Sequence, residues 1–502
     1  MKAQIWLHRA FVKNKIDDRI YSAFVEHMGR CVYNGIYEPS HPTADSRGFR
    51  EDVKELVKEL RIPLIRYPGG NFVSGYRWEE GVGPVEQRRA VRDAAWAQIE
   101  PNLVGTDEFH AWAKDVGSQV MMAVNLGSRG VEEAGALLEY CNLDAGTTYS
   151  DMRVANGVTE PYHDKIWCLG NEMDGIWQIG ARRASDYADI ARKAACYMKM
   201  LDPNVQLVAC GSSNYEIPTF GDWEQTVLEE TYEHIDFISL HQYMANWGNN
   251  DGEYLGSSVD MDRFIRTVVS ICDAVGGKRH TDKKINLSFD EWGVWPMLTK
   301  CDNNADRWTV GPAREEYRFS MMDSLVFATM IHSLIRNSDR VKIACLTQLV
   351  NVCSPIMTEV GGSVWVQPTY WPFYYASRYG RGELLEARSE SPVYDAGKHG
   401  MAPVIDNVAV FDSEMKEMTL FVVNRSQDAD CELQMNLAGF GKCSILDHIV
   451  MEHEDRHAVN SAERPNCVIP NAVADRVTIC GEQARLIVKP LSWNMVRIKT
   501  SQ

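Results

Sequence analysis

Eight short apolar segments alternate with stretches of helical periodicity over most of the chain, and short alternating segments without helical periodicity follow. The first pattern is typical of a (β/α)8 barrel, in which a helix on the outside joins each parallel strand to the next. The second pattern indicates a β-sandwich. The sequence therefore predicts an α/β protein: a (β/α)8 TIM barrel with a C-terminal all-β, jelly-roll-like sandwich.

The predicted barrel strands are apolar and short, and they lie at 22–27, 64–68, 119–125, 165–170, 206–209, 235–240, 285–290 and 343–347. Apolar side chains recur at helical spacing between them, in residues 51–61, 185–201, 260–275 and 315–336. An open, doubly wound sheet is the alternative for such alternation. However, no GxGxxG motif follows the first strand, and Gly69-Gly70 is too short to replace it.

The predicted sandwich strands are separated by turn residues and lie at 408–411, 418–423, 431–437, 485–489 and 493–498. Residues 3–7 also alternate like a strand, but they precede a barrel whose eight strands are already assigned. The apolar face of this first strand needs a sheet to cover it, and we expect it to pair with the C-terminal sheet. Residues 16–378 are thus predicted to form the barrel, and residues 1–15 and 379–502 the sandwich.

The composition indicates a globular protein of 502 residues, 45% hydrophobic and 24% charged, large enough for one big domain and a smaller one. A net charge of −17 argues against a nucleic-acid partner. No signal-peptide core and no apolar run of about 18 residues is present, so no membrane partner is expected. The 13 cysteines contain no CxxC pair, which indicates reduced thiols and a cytoplasmic location.

Two glutamates stand at the ends of predicted strands, where the active sites of (β/α)8 barrels lie. Glu172 follows the fourth strand and Glu291 follows the seventh, and both precede aromatic residues and a glycine. Polar groups also follow most of the other strands, which costs free energy unless these groups pair or bind a ligand. Two carboxylates that converge on one cleft are what glycoside hydrolysis requires.

Each candidate also has a simpler structural interpretation. Glu172 would suit a helix N-terminus, where the helix dipole favours a carboxylate. Glu291 would serve as an ion-pair partner, and Arg66 as the neutraliser of buried carboxylates. His241 and Tyr243 lie two residues apart and so face the same side of an extended segment, but each alone would fit a polar core position. No His/Cys/Asp cluster has the spacing of metal ligands, so neither a metal nor a cofactor is expected.

Several segments together resemble the motifs of glycoside hydrolase family 51, the α-L-arabinofuranosidases. They are Arg66-Tyr-Pro-Gly-Gly-Asn-Phe72, Trp167-Cys-Leu-Gly-Asn-Glu-Met-Asp-Gly175, Ser239-Leu-His-Gln-Tyr243, Phe289-Asp-Glu-Trp-Gly-Val-Trp295 and Gln348-Leu-Val-Asn-Val352. The resemblance covers the barrel from Glu26 to about residue 378. The sandwich fits the family architecture but carries no specific motif.

The resemblance implies a catalytic pair and its supporting residues. Glu172 is expected to be the general acid/base and Glu291 the nucleophile. Asn171 is expected to bind the sugar 2-hydroxyl, whereas Arg66 and Tyr243 hold Glu291 ionised and oriented.

The resemblance also implies a furanose-binding pocket. Glu26, Asn71 and Gln348 are expected to bind the sugar hydroxyls. His241 is expected to support the acid/base, and Trp96 to form a wall of the pocket from the long loop after the second strand.

The activity implied is that of a retaining, exo-acting α-L-arabinofuranosidase on arabinoxylan- and arabinan-derived oligosaccharides. Family members are often hexamers, so a homo-oligomer is expected by analogy. Another retaining activity on the same scaffold, β-xylosidase or endo-glucanase, is the alternative within the enzyme class. A non-catalytic sugar-binding barrel is the alternative from another class, although both carboxylates are present.

Overall fold

The computed structural model describes residues 1–295 and 306–501. Eight parallel strands close into a barrel in chain order, which confirms the predicted barrel. They are Ser22–Phe24, Leu64–Tyr67, Gln119–Val124, Ile166–Leu169, Gln206–Ala209, Phe237–Met244, Asn286–Val294 and Val341–Leu346. Each overlaps a predicted segment. The sixth and seventh extend four residues beyond their predicted ends, so Glu291 lies inside its strand and not after it.

Helices pack around the barrel because each presents an apolar stripe to the outside of the sheet. They are Glu51–Glu59, Thr106–Val116, Val131–Asn142, Thr148–Ala155, Ala184–Leu201, Asp222–Thr231, Asp251–Gly256, Ser258–Lys278, Met321–Arg336 and Tyr370–Tyr379. Short 3-10 helices occupy Asp18–Tyr21, Asn71–Gly75, Trp78–Gly81, Val85–Gln87 and Gly397–His399. Among the described residues, no helix is long and apolar enough to cross a membrane.

The helix predicted at 315–336 begins six residues later than expected, at Met321. Ser320 and Asp323 form a capping box there: Ser320 Oγ accepts from the Asp323 amide at 3.3 Å, and the Asp323 carboxylate accepts from the Ser320 amide at 2.8 Å. Glu315 has a left-handed φ of 52°, which an α-helix does not allow. The predicted start was wrong because the apolar stripe continues into residues that are not helical.

The C-terminal part is a sandwich of two sheets. The five-stranded sheet has the order Arg388–Glu390, Lys2–His8, Cys431–Ala438, Gln483–Val488 and Val477–Cys480. The seven-stranded sheet has the order Val12–Lys15, Glu383–Leu385, Ile405–Asp412, Glu417–Asn424, Ser492–Thr500, Cys443–Met451 and Asn471–Ala472. In the described part of the chain, three hairpins lie outside these sheets, namely Val91–Asp93 with Gln98–Glu100, Ile356–Thr358 with Val364–Val366, and Val393–Asp395 with Met401–Pro403.

The N-terminal strand lies inside the five-stranded sheet. Lys2–His8 pairs in parallel with Cys431–Ala438 and antiparallel with Arg388–Glu390. Ile5 and Leu7 are buried in the sandwich core. The predicted pairing of this strand with the C-terminal sheet is confirmed. The division of the chain at residues 15 and 378 stays a prediction.

A buried ion cluster joins the helix Met321–Arg336, which precedes the eighth barrel strand, to the sandwich. Asp406, on a sandwich strand, accepts from His332 at 2.6 Å, from Arg336 at 3.1 Å and from Arg425 at 3.1 Å. Burial alone would raise the pKa of Asp406, but Arg336 and Arg425 hold it far below its usual range. Because Asp406 belongs to the sandwich and His332 to the barrel, the cluster fixes these two parts to each other.

Candidate active site

The two predicted catalytic glutamates meet at the carboxyl end of the barrel. Glu172 follows the fourth strand after Gly170, and both residues have left-handed φ values, 44° and 92°. Glu291 reaches the same place from the seventh strand. One carboxylate oxygen of each glutamate and a ring nitrogen of His241 all lie within 4.8 Å of one another. The strand ends therefore bring together two carboxylates that lie 119 residues apart in the sequence.

Glu291 is held by donors at both of its oxygens. Arg66 Nη1 donates to Oε1 at 2.8 Å, and the Tyr243 hydroxyl donates to Oε2 at 2.9 Å. Burial raises the pKa of Glu291 and the Glu172 carboxylate raises it further, whereas His241 and Arg66 oppose this rise. The carboxylate is thus fixed in one orientation, and two cations offset part of the cost of its burial.

His241 bridges two carboxylates. Its Nδ1 lies 2.9 Å from Glu172 Oε1, and its Nε2 lies 2.9 Å from Asp290 Oδ1. Burial alone would lower the pKa of His241, but the charges of Glu291, Asp290 and Glu172 outweigh it and raise the pKa to about 10. At neutral pH the ring is therefore an imidazolium that donates from both nitrogens. In this protonation state the ring has no lone pair to offer a metal ion.

Asp290 is a site residue that the sequence prediction missed. It is buried beside His241, and its Oδ2 lies 3.8 Å from Arg66 Nε and 3.6 Å from Cys168 Sγ. Burial would raise the pKa of Asp290, but Arg66 and His241 hold it below its usual value. Neighbouring strand residues normally face opposite sides, so Asp290 and Glu291 were not expected in one cluster. The pairing register shifts between Phe289 and Trp292, and this irregularity lets both carboxylates face the barrel interior.

The predicted sugar-binding asparagines extend the network from Arg66. Arg66 Nη2 donates to Asn171 Oδ1 at 2.7 Å, and Asn171 Nδ2 donates to Asn71 Oδ1 at 3.3 Å. Asn171 immediately precedes Glu172, so this chain of hydrogen bonds connects the Glu291 side of the site to the Glu172 side. The amide groups lie at the carboxyl ends of the second and fourth strands.

A second group of predicted residues surrounds Glu26. The Glu26 carboxylate accepts from the Phe72 amide at 2.9 Å, from Trp96 Nε1 at 2.9 Å and from Gln348 Nε2 at 3.2 Å. Burial and the charge of Glu291 raise the pKa of Glu26 to about 8, against the donors from Phe72 and Trp96. The structure thus brings every predicted site residue to one end of the barrel, in two hydrogen-bonded groups.

Trp177 was not among the predicted site residues. Its Nε1 donates to Glu172 Oε2 at 2.7 Å, and the side chain is 50% exposed. An aromatic residue five positions after a strand-end glutamate was visible in the sequence, but nothing there indicated that its indole folds back onto the carboxylate. Glu172 therefore has one oxygen on His241 and the other towards solvent beside Trp177.

Comparison with known proteins places the chain in a family. Residues 56–259 match the profile of the α-L-arabinofuranosidase 1 domain, and residues 290–492 match that of the α-L-arabinofuranosidase C-terminal domain. The intracellular exo-α-(1→5)-L-arabinofuranosidase 1 of Bacillus subtilis (strain 168) is 48% identical over 99% of both chains. An exo-α-(1→6)-L-arabinofuranosidase of Bifidobacterium longum is 44% identical over 96% of this chain and 95% of its own length.

A solved structure agrees with these matches. A family 51 α-L-arabinofuranosidase from Bifidobacterium longum superposes with a TM-score of 0.94 at 40% identity, over 99% of both chains. The barrel, the sandwich and the paired glutamates define a glycoside hydrolase. The chain belongs to the α-L-arabinofuranosidases of glycoside hydrolase family 51. The enzyme class that the motifs predicted is confirmed.

Proposed function

We propose that this enzyme releases terminal α-L-arabinofuranosyl residues from arabinan- and arabinoxylan-derived oligosaccharides by double displacement with retention of configuration. The observation that carries the proposal is the approach of Glu172 and Glu291 oxygens to within 4.8 Å. Retaining enzymes keep their carboxyl groups about 5–5.5 Å apart, whereas inverting enzymes need roughly 6.5–9.5 Å to admit a water between them. The observed approach leaves no room for that water.

In the first step, Glu291 attacks the anomeric carbon, and the bond to the leaving oxygen breaks as that oxygen takes a proton from Glu172. Arg66 and His241 stabilise the carboxylate form of Glu291 before the attack. The Tyr243 hydroxyl orients it. Protonated Glu172 keeps its carbonyl oxygen on His241, which leaves the hydroxyl beside Trp177 free to face the leaving group. The products are an arabinosyl ester on Glu291 and the released alcohol.

In the second step, Glu172 acts as a base. It takes a proton from a water that attacks the anomeric carbon, and the Glu291 ester bond breaks to restore the carboxylate. The negative charge of Glu291 is absent while the ester exists, so the Glu172 carboxylate meets less repulsion at this stage. The His241 imidazolium stabilises the Glu172 carboxylate through their 2.9 Å contact.

Sugar recognition is assigned to the polar groups around the catalytic pair. Asn171 binds the 2-hydroxyl, close to the reacting carbon, and Asn71 extends the same amide chain. Glu26 and Gln348 bind the remaining furanose hydroxyls. The hairpin that carries Trp96 places its indole on Glu26, which forms a wall and suits removal of a terminal residue.

Azide rescue of two alanine variants tests the assignment. Glu291→Ala should lose nearly all turnover of an aryl arabinofuranoside, and azide should restore it with a glycosyl azide of inverted configuration. Glu172→Ala should remain active on substrates with good leaving groups, which need little protonation, and azide should give the retained product. The reverse pattern would exchange the two roles. Asp186→Ala is the matched control, because Asp186 is an exposed acid on the helix Ala184–Leu201, which follows Glu172 in the chain.

The linkage preference, location and assembly of the enzyme follow from its relatives. We assign the (1→5) linkage and an intracellular location, in agreement with the name of the Bacillus subtilis relative, and a homohexamer by analogy with the family. Relative rates on α-(1→5)- and α-(1→6)-linked substrates test the linkage, because the Bifidobacterium longum relative is named for the second.

Turnover of aryl xyloside above aryl arabinofuranoside would favour the β-xylosidase alternative. Light scattering measures the assembly.

A further inference from the structure

Asp174 ties the loop of Glu172 to the neighbouring strand end. It lies two residues after Glu172 and is only 8% exposed. Its Oδ2 accepts from the Ser213 amide at 2.9 Å and from the Ser213 hydroxyl at 3.2 Å. Ser213 follows the fifth barrel strand, Gln206–Ala209. The loop after the fourth strand is therefore anchored to the loop after the fifth by one buried carboxylate.

The same neighbouring loop contacts His241. The His241 amide donates to the Ser212 carbonyl at 3.4 Å, and the His241 ring contacts Glu172. A closed circuit thus runs from Glu172 through Asp174 and residues 212–213 to His241 and back to Glu172. Within this circuit, the Asp174 side chain holds the Glu172 loop from its buried side.

The backbone that Asp174 anchors is strained. Glu172 has a φ of 44°, a conformation that is unfavourable for a non-glycine residue and persists only where the surroundings hold it. Two main-chain bonds support this turn, from Gly175 to Glu172 and from Arg182 to Met173, both 2.9 Å. Asp174, whose side chain accepts from Ser213, lies between Met173 and Gly175 in the sequence.

Asp174 also has an unsatisfied atom. Its Oδ1 is buried and has no hydrogen-bond partner among the described residues. Burial and the charge of Glu172 raise the pKa of Asp174 to about 6, against the Ser213 amide and the charge of His241. A buried carboxylate with one unpaired oxygen is costly, and packing alone gives no reason to place it here.

We propose that Asp174 is a positioning residue for Glu172: by clamping Ser213, it holds the strained turn so that the Glu172 carboxyl faces the leaving oxygen. This inference rests on the proposed acid/base role of Glu172. Loss of the clamp should therefore harm the reaction in proportion to its need for protonation of the leaving group. A residue that only stabilised the fold would lower the rates of all substrates alike.

A leaving-group series tests the proposal. Values of kcat/KM are measured with aryl arabinofuranosides from dinitrophenyl, a good leaving group, to methoxyphenyl, a poor one. Asp174→Ala should lose roughly 10–100-fold on the poor leaving group, the equivalent of one charged hydrogen bond, and less than about 3-fold on the good one. Asp174→Asn keeps an acceptor for the Ser213 amide and should lose much less.

Glu172→Ala and the exposed variant Asp186→Asn complete the series. Glu172→Ala should show the steepest dependence on the leaving group, and Asp186→Asn none. If Glu172→Ala showed none, the proposed acid/base role would fail. If Glu172→Ala were steep while Asp174→Ala lost the same factor on every substrate, or lost nothing, the positioning role of Asp174 would be refuted.

If Asp174→Ala fails to fold, Ser213→Ala tests the positioning role of Asp174 instead. It removes the 3.2 Å hydroxyl bond and keeps the amide bond to Asp174. A small steepening of the leaving-group dependence, about 2–5-fold between the extremes because the shorter amide bond remains, supports the proposal. An unchanged slope in a folded Ser213→Ala overturns it.

Discussion

Replacing Asp290 by Asn should lower the pH at which the protein loses the stability that charged His241 contributes. Asp290 Oδ1 receives a hydrogen bond from His241 Nε2 at 2.9 Å, and its charge helps raise the His241 pKa to about 10. A hydrogen bond to a charged partner contributes about 1.5–3 kcal/mol, and 1.36 kcal/mol corresponds to a pKa change of about one. The substitution should therefore lower the pKa of His241 by roughly one to two.

The sign of the effect follows from linkage. The His241 pKa is raised above its ordinary value of 6.5, so its contribution to stability is fully present below pH 6.5 and is lost as the pH rises through about 10. In Asp290→Asn this loss should occur at lower pH. Melting temperatures of wild type and variant, measured by calorimetry at intervals from neutral to alkaline pH, should therefore differ most at neutral pH and converge as the pH rises to about 10.

Activity should follow the same change. The variant should lose roughly 10–100-fold in kcat at neutral pH, because the hydrogen bond that fixes the His241 ring beside both glutamates is then weaker. Asp186→Asn, the same substitution at an exposed position, is the control and should leave both profiles unchanged. If Asp290→Asn melted with the wild-type pH dependence, His241 would not be a bridging imidazolium.

The other predictions concern single contacts. Tyr243→Phe removes the hydroxyl bond to Glu291 and should lower kcat about 10–100-fold with little change in melting temperature; a KM effect alone would contradict this. Trp96→Phe removes the indole hydrogen bond to Glu26 and should raise KM roughly 3–10-fold in steady-state assays. An unchanged KM would mean that Trp96 does not contribute to substrate binding. Asp406→Asn leaves the buried guanidinium of Arg425 without its carboxylate and removes one of the two carboxylates that bind Arg336, so it should cost about 3–5 kcal/mol of unfolding free energy, measured by urea denaturation. No loss would mean that this ion cluster is not stabilising. Deletion of residues 1–10 removes an internal sheet strand and should cause aggregation, which unchanged solubility would contradict.

The sequence predicted the barrel well because its strands carry a clear signal. A buried parallel strand is a short run of apolar residues, and each ends at a polar group on the functional face. This is why Glu172 and Glu291 were found without a structure. The sugar-binding roles of Glu26 and Gln348 came from the family resemblance, since nothing in the sequence around them indicates that they contact each other.

What the sequence missed depends on local geometry. Asp290 joins the site through a register shift that the alternation rule does not anticipate. Trp177 reaches Glu172 through the path of its loop. The helix start at Met321 is set by capping and not by the apolar stripe that precedes it. The role of Asp174 depends on a contact with Ser213 across two loops, and no sequence spacing encodes such a contact.

Trapping the covalent intermediate tests the central claim most directly. Glu172→Ala is mixed with a dinitrophenyl α-L-arabinofuranoside, quenched in acid and digested, and the peptides are analysed by mass spectrometry. The leaving group departs without protonation, and hydrolysis of the ester is slow without the base, so the intermediate should accumulate. We expect the mass of one arabinosyl group on Glu291 and on no other residue. A burst without any adduct, or an adduct on Glu26, would contradict double displacement through Glu291.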